Sequence, residues 1–168
     1  VAQANGRYDL HELTRQYAAE KLRATGADAA VRQQHFDSYR ALAARLDAQL
    51  HGPDGIAAFT RLDREQDNLR AALKWGLEIG QKKAVLRLVN HLFFFWIRRG
   101  YWGEAEQWNM VAVSLADQQD DPDLCMALIQ LSTFIAIQGR FAEAGPYLPR
   151  ALPMARRLAQ TQPLVMAL

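Results

Sequence analysis

Few residues in this chain are arranged for chemistry. The four histidines (His11, His35, His51 and His91) have no metal-ligand spacing with one another or with the single cysteine, Cys125, so no metal site is expected. Cys125 has no histidine at motif spacing and falls in an apolar helical stretch, where it reads as a small core residue and not a nucleophile. There is no Gly-x-x-x-x-Gly-Lys-Ser/Thr loop and no Gly-x-Gly-x-x-Gly, hence no phosphate cradle within the chain. Neighbouring acids offer the remaining candidates for acid–base work. Glu104 and Glu106 cannot share one face of a helix. Asp120, Asp121 and Asp123 sit in the acidic stretch 117–123, which reads as a flexible linker. Both groups are expected to be solvated surface, so no catalytic residue is expected. The basic pairs Lys82-Lys83, Arg98-Arg99 and Arg156-Arg157 are isolated, and the formal charge is only +2, from 20 basic and 18 acidic residues. Direct nucleic-acid binding by this chain is therefore not expected.

The elements that must position any site are helical. Among 168 residues, Ala (28) and Leu (22) dominate, while the helix breakers Gly (10) and Pro (6) are scarce. The first helix is expected over about 9–24, with Asp9 and Glu12 at capping-box spacing, Leu10, Leu13, Tyr17 and Leu22 on one face, and Gly26 at its end. A second runs over about 28–50, with Phe36, Tyr39, Leu42, Ala43, Leu46 and Leu50 at helical spacing, up to the breaker 51–55. A third runs over about 56–79 with Phe59, Leu62, Gln66, Leu69, Leu73 and Leu77 on one side, and stops at Gly80. The most apolar stretch, 92–97, is far short of the roughly 18–20 residues of a membrane span. No secretory leader is visible, and a cytoplasmic setting is expected. The chain opens on Val1 and reads as part of something longer.

From Val85 onward the sequence repeats. A shift of 39 residues aligns Gly100 with Gly139, Trp102 with Phe141, Glu104-Ala105 with Glu143-Ala144, Trp108 with Tyr147, and Ala112 with Ala151. Glycine lets the chain leave one helix, the aromatic two residues later is expected to plug the gap between paired helices, and the alanines allow close approach. Val165–Leu168 echo Cys125–Leu128, so a third copy is expected to begin there. Of the run Phe93-Phe94-Phe95-Trp96, Phe93 and Trp96 are expected in the core, because four successive residues at about 100° each cannot face one neighbour.

GRFAEAGPYLPRAL (139–152) and GYWGEAEQWNMVAV (100–113) resemble the second half of the tetratricopeptide repeat. The period of 39 exceeds the usual ~34, and Phe93 stands where the motif has a small residue, which predicts looser or differently angled packing in the first copy. The resemblance implies an all-α, right-handed array of helical hairpins. It also implies that Arg87, Asn90, Phe94 and Ile97 line its concave face as a groove for a protein, peptide or inducer, with plain core packing as the alternative. YDLHELTRQYAAEKL (8–22), HFDSYRALAARL (35–46) and REQDNLRAALKWGLEIG (64–80) resemble the junction after the winged helix in STAND-type (NB-ARC-like) ATPases, as found in bacterial transcriptional regulators of the antibiotic-regulatory-protein and LuxR-type groups.

That resemblance implies a winged-helix end over 1–26, an adaptor hairpin over 27–83 and repeats over 84–168. It implies an ATPase module in cis that uses ATP and ADP, with no cofactor held by this segment itself. His11, in Leu10-His11-Glu12, stands where such relatives place a histidine against the ADP phosphate, although Leu and Glu replace their Met and Asp. The function implied is non-catalytic sensing within a transcriptional regulator. A free-standing tetratricopeptide scaffold unrelated to transcription and a helical enzyme are the alternatives.

Overall fold

The computed structural model describes residues 12–116 and 121–158, and among these every regular element is helical. The elements are α1 (Glu12–Ala24), α2 (Asp28–Gln49), α3 (Gly55–Arg64), α4 (Gln66–Glu78), α5 (Lys82–His91), α6 (Phe93–Arg99), α7 (Trp102–Leu115), α8 (Pro122–Ile137), α9 (Phe141–Ala144) and α10 (Leu148–Arg157). They pair as three hairpins. In the first, α2 packs on α3 and α4; in the second, α5 and α6 pack on α7; in the third, α8 packs on α9 and α10. The first helix of each later hairpin lies against both arms of the one before it, α5 on α2 and α4, and α8 on α5 and α7. One continuous apolar core results, reaching from Phe36 to Ala155.

The local causes are those the sequence predicts. Phe36 and Ala43 are fully buried at helical spacing on α2, and Leu62, Leu69 and Leu73 do the same on α3 and α4. The repeat alanines Ala105, Ala112, Ala144 and Ala151 are all buried at the helix contacts. Gly100 (φ +75°) and Gly139 (φ +80°) leave their helices in the left-handed conformation that side chains disfavour. Cys125 is fully buried, with its Sγ 3.5 Å from the Ala151 carbonyl oxygen.

Several expectations are corrected. The helix expected over 56–79 is interrupted at Glu65, whose backbone (φ −99°, ψ 8°) leaves the helical region. Glu65 is only 2% exposed; its carboxylate accepts from Tyr39 Oη (3.0 Å) and Asn68 Nδ2 (2.7 Å) and pairs with Arg61 Nε (3.1 Å). The interruption thus ties α3 and α4 to α2 through a buried carboxylate. Glu65→Ala removes the acceptor shared by the half-buried Tyr39 and Asn68 donors and is expected to cost about 1–3 kcal/mol in urea unfolding. Glu65→Gln, which keeps an acceptor oxygen, loses less; equal losses would sink this account.

In α1, Leu13 and Tyr17 are 70% and 61% exposed, so its apolar face is not core here. The helix touches α2, to which Gly26 connects it, and Lys21 lies over the Tyr17 ring at 5.4 Å. Asp9 and residues 165–168, which carry the expected helix start and third copy, lie outside the described residues.

The aromatics after Gly100 and Gly139 do not plug the hairpins: Trp102 is 36% and Phe141 72% exposed, each at the first position of its helix. The space is filled instead by Phe93, Trp96 and Phe134. Phe134 lies edge-on to Phe93 (5.3 Å) and near Trp96 (6.4 Å). The large Phe93 coincides with a break in the first arm at Leu92, whereas α8, with Ser132 at the matching place, runs through unbroken. Three of the four consecutive aromatics are buried, and Phe94 alone of them stays 37% exposed.

Candidate functional site

The four groove residues lie on the first arm of the second hairpin, two on α5 and two on α6. Arg87 and Asn90 are brought together by the start of α8. Arg87 Nε donates to Asp123 Oδ2 (2.7 Å) and Asn90 Nδ2 to the Asp123 carbonyl oxygen (2.9 Å). Gln130 Nε2 reaches back to the Asn90 carbonyl oxygen (3.4 Å). These two side chains therefore join neighbouring hairpins in this structure. Phe94 stands edge-on to the His51 ring (4.4 Å) at the turn of the first hairpin, and Ile97 is half-buried against the core. Beside Arg87 a notch of about 180 Å³ opens between α2 and α5, floored by Ala41 and Ala44 and flanked by Arg40 and His91. Its basic side chains already meet carboxylates: Arg40 pairs with Asp37 (3.2 Å), and His91 Nδ1 lies 2.9 Å from Asp47 Oδ2. His11 lies outside the described residues.

Of the acids expected to be solvated surface, Glu104, Glu106, Asp121 and Asp123 instead pair with basic residues of neighbouring hairpins, while Asp120 lies outside the described residues. Glu104 accepts both arms of the Arg70 fork, Nε and Nη2, at 2.7 Å each, and also Trp108 Nε1 at 3.3 Å. Glu106 is 8% exposed and pairs with Arg140, with Gln138 Nε2 donating at 2.8 Å. Asp121 does not belong to a loose linker. Its Oδ1 caps α8 by accepting from the Asp123 amide (2.8 Å), and its Oδ2 pairs with Lys83 (3.0 Å). Arg99 Nε donates to Asp63 at 2.7 Å.

The spacing is regular. Arg70–Glu104 and Glu106–Arg140 are both 34 residues apart, and Asp63–Arg99 and Arg87–Asp123 are both 36 apart. That spacing is the signal in the sequence that could have identified them. Among the described residues no cluster of three or more His, Cys, Asp or Glu could hold a metal ion. No described helix is long and apolar enough to cross a membrane.

These pairs are expected to make the stability of the array depend on pH in the acid range. The Arg99 guanidinium holds the Asp63 carboxyl below its ordinary value, and Arg70 does the same for Glu104. At Glu106 and Asp121 burial pushes the carboxyl up, but hydrogen bonds from Arg140 and Gln138, and from Lys83 and nearby amides, outweigh it and leave both lowered. A carboxyl lowered by folding contributes stability that is complete above its unfolded value, about pH 4. That stability is lost as pH falls through the lower folded value. The urea midpoint is expected to fall between pH 7 and pH 3, and to fall less in Arg70→Gln. Unchanged midpoints over that range would contradict these pairings.

The chain matches no protein-family model and no solved structure. It is related to curated proteins described as HTH-type transcriptional regulators, one from Mycobacterium bovis and others from Mycobacterium tuberculosis strains CDC 1551 and H37Rv. Each is 39% identical over 106 residues. Those residues are 63% of this chain and 12% of each relative, so the match spans a small part of the relatives' length.

Proposed function

We propose that this chain is the non-catalytic sensor segment of an ATP-dependent bacterial transcriptional regulator acting in the cytoplasm. The relation to the mycobacterial regulators carries this reading. Its form supports it: hairpins stacked so that each first helix meets both arms of its predecessor are what a tetratricopeptide-like superhelix requires. An inducer or protein partner bound on the array, with the α5–α6 face of Arg87, Asn90, Phe94 and Ile97 as one contact surface, biases an ATPase module in the same protein. The bias falls between an ADP-bound closed form and an ATP-bound open form, and it requires unequal affinity of the ligand for the two. In this reading residues 1–26 close the winged helix, 27–83 are the adaptor, 84–168 are the repeats, and His11 donates to a phosphate oxygen of ADP. The ion pairs Arg70–Glu104, Asp63–Arg99, Arg87–Asp123 and Glu106–Arg140 stiffen the array for relaying a binding event, because each one couples a hairpin to the next.

The test is made in the full-length regulator with a transcriptional reporter. Arg70→Glu is expected to abolish the induced response, and the reversed pair Arg70→Glu with Glu104→Arg to restore a good part of it. Unchanged induction after removal of residues 84–168 would overturn the proposal.

A further inference from the structure

On the solvent-facing side of the first hairpin a cavity of about 320 Å³ opens between α2 and α4. Pockets for small molecules span about 300–1,000 Å³, so this one is large enough for a compact ligand. Its apolar lining is the Trp75 indole with Val31 and Ala71. Val31 is 46% exposed there, open to an occupant.

The polar groups are unequal in what they can still bind. Arg32 lies over the Trp75 ring, 5.3 Å from its centroid, and is held by Asp28 (3.0 Å) and Glu78 (3.6 Å). It offers a flat surface beside the indole, while its charge is taken up by two carboxylates. His35 is steadied by Tyr39, ring to ring at 4.4 Å, and by Asn68 at 3.5 Å. Lys74 is different. It is exposed on the cavity wall, and no carboxylate among the described residues pairs with it.

A flat aromatic wall with one uncommitted ammonium fits a planar aromatic ring that bears a single negative charge. We infer that the cavity between α2 and α4 is a binding site for a small aromatic carboxylate, its ring against Trp75, Val31 and Ala71 and its carboxylate on the Lys74 ammonium. This inference rests on the reading of the chain as a sensor, for which it supplies the chemical class of inducer.

The probe is 2-naphthoate, titrated into the ¹⁵N-labelled 168-residue chain. The readout is the set of indole N–H resonances of its four tryptophans. Trp75→Phe assigns the resonance of interest, and Ala71→Leu, at an exposed helical position, fills the cavity without touching the core. The Trp75 resonance is expected to shift saturably with a Kd below about 1 mM. Ala71→Leu abolishes the shift. Lys74→Gln weakens 2-naphthoate by about fivefold or more and leaves neutral 2-naphthol unchanged.

No saturable shift at Trp75, as when a segment of the chain itself fills the groove, overturns the inference. So do shifts spread over all four indoles, or a Lys74→Gln variant that binds as before. Because the titration reads binding by the chain alone, it can fail while the transcription experiment succeeds, and the reverse.

Discussion

Phe134→Ala is expected to lower the unfolding free energy by about 4 kcal/mol, within the range for large-to-small changes at buried aromatics. Phe134 is fully buried on α8 and meets Phe93 and Trp96, which belong to the arm of the preceding hairpin. Removing its ring opens a cavity at the seam between two hairpins, where the surrounding helices are held by the Arg87–Asp123 and Glu106–Arg140 pairs and cannot close freely. The midpoint of thermal unfolding, followed by circular dichroism, is expected to fall by on the order of 10 °C. Phe134→Leu, which keeps most of the volume, should lose less than half as much. A loss under about 1 kcal/mol for the alanine variant would mean that the seam collapses, and that the aromatic cluster does not set the hairpin packing.

Gly76→Val is expected to cost about 3 kcal/mol, at the upper end for overpacking. A Cβ built on Gly76 falls 2.6 Å from Val85 Cγ2 and 2.7 Å from Phe36 Cε2. Those side chains are 1% and 0% exposed, so neither can swing into solvent. Gly76 is where α4 closes on α2 and α5 together. Helix propensity favours alanine over glycine by about 1 kcal/mol, so Gly76→Ala is a contest between propensity and crowding. Crowding should win by about 1–2 kcal/mol, since something buried must shift. Gly103 in α7 is the control: nothing lies within 4 Å of an added Cβ, so Gly103→Ala should be neutral or stabilising by a few tenths of a kcal/mol. If the two alanine variants behave alike, close packing at Gly76 is not what sets its cost.

The candidate groove was only partly legible. Arg87 and Asn90 occur on one helical face in the sequence and do occur together in the structure, but their shared partner is Asp123, in a stretch that reads as a linker. Glu104 and Glu106 look like surface because adjacent acids on an isolated helix are surface. Only the neighbouring hairpins, which bring Arg70 and Arg140 to them, make them structural. The α2–α4 cavity left no signal, since Val31, Ala71, Lys74 and Trp75 mark no motif and follow no period.

Periodicity and breakers, which act within a few residues, determined the helices, their buried stripes from Phe36 through Leu46 and from Leu62 through Leu73, and the left-handed exits at Gly100 and Gly139. The repeat of small residues determined that hairpins would lie close. The tertiary structure alone decided the break at Glu65, the exposure of Trp102 and Phe141, and which of 18 acids meets which of 20 bases. Those outcomes depend on the angle and register at which one hairpin settles on the next. A contact between residues 34 apart exists only once that geometry is set.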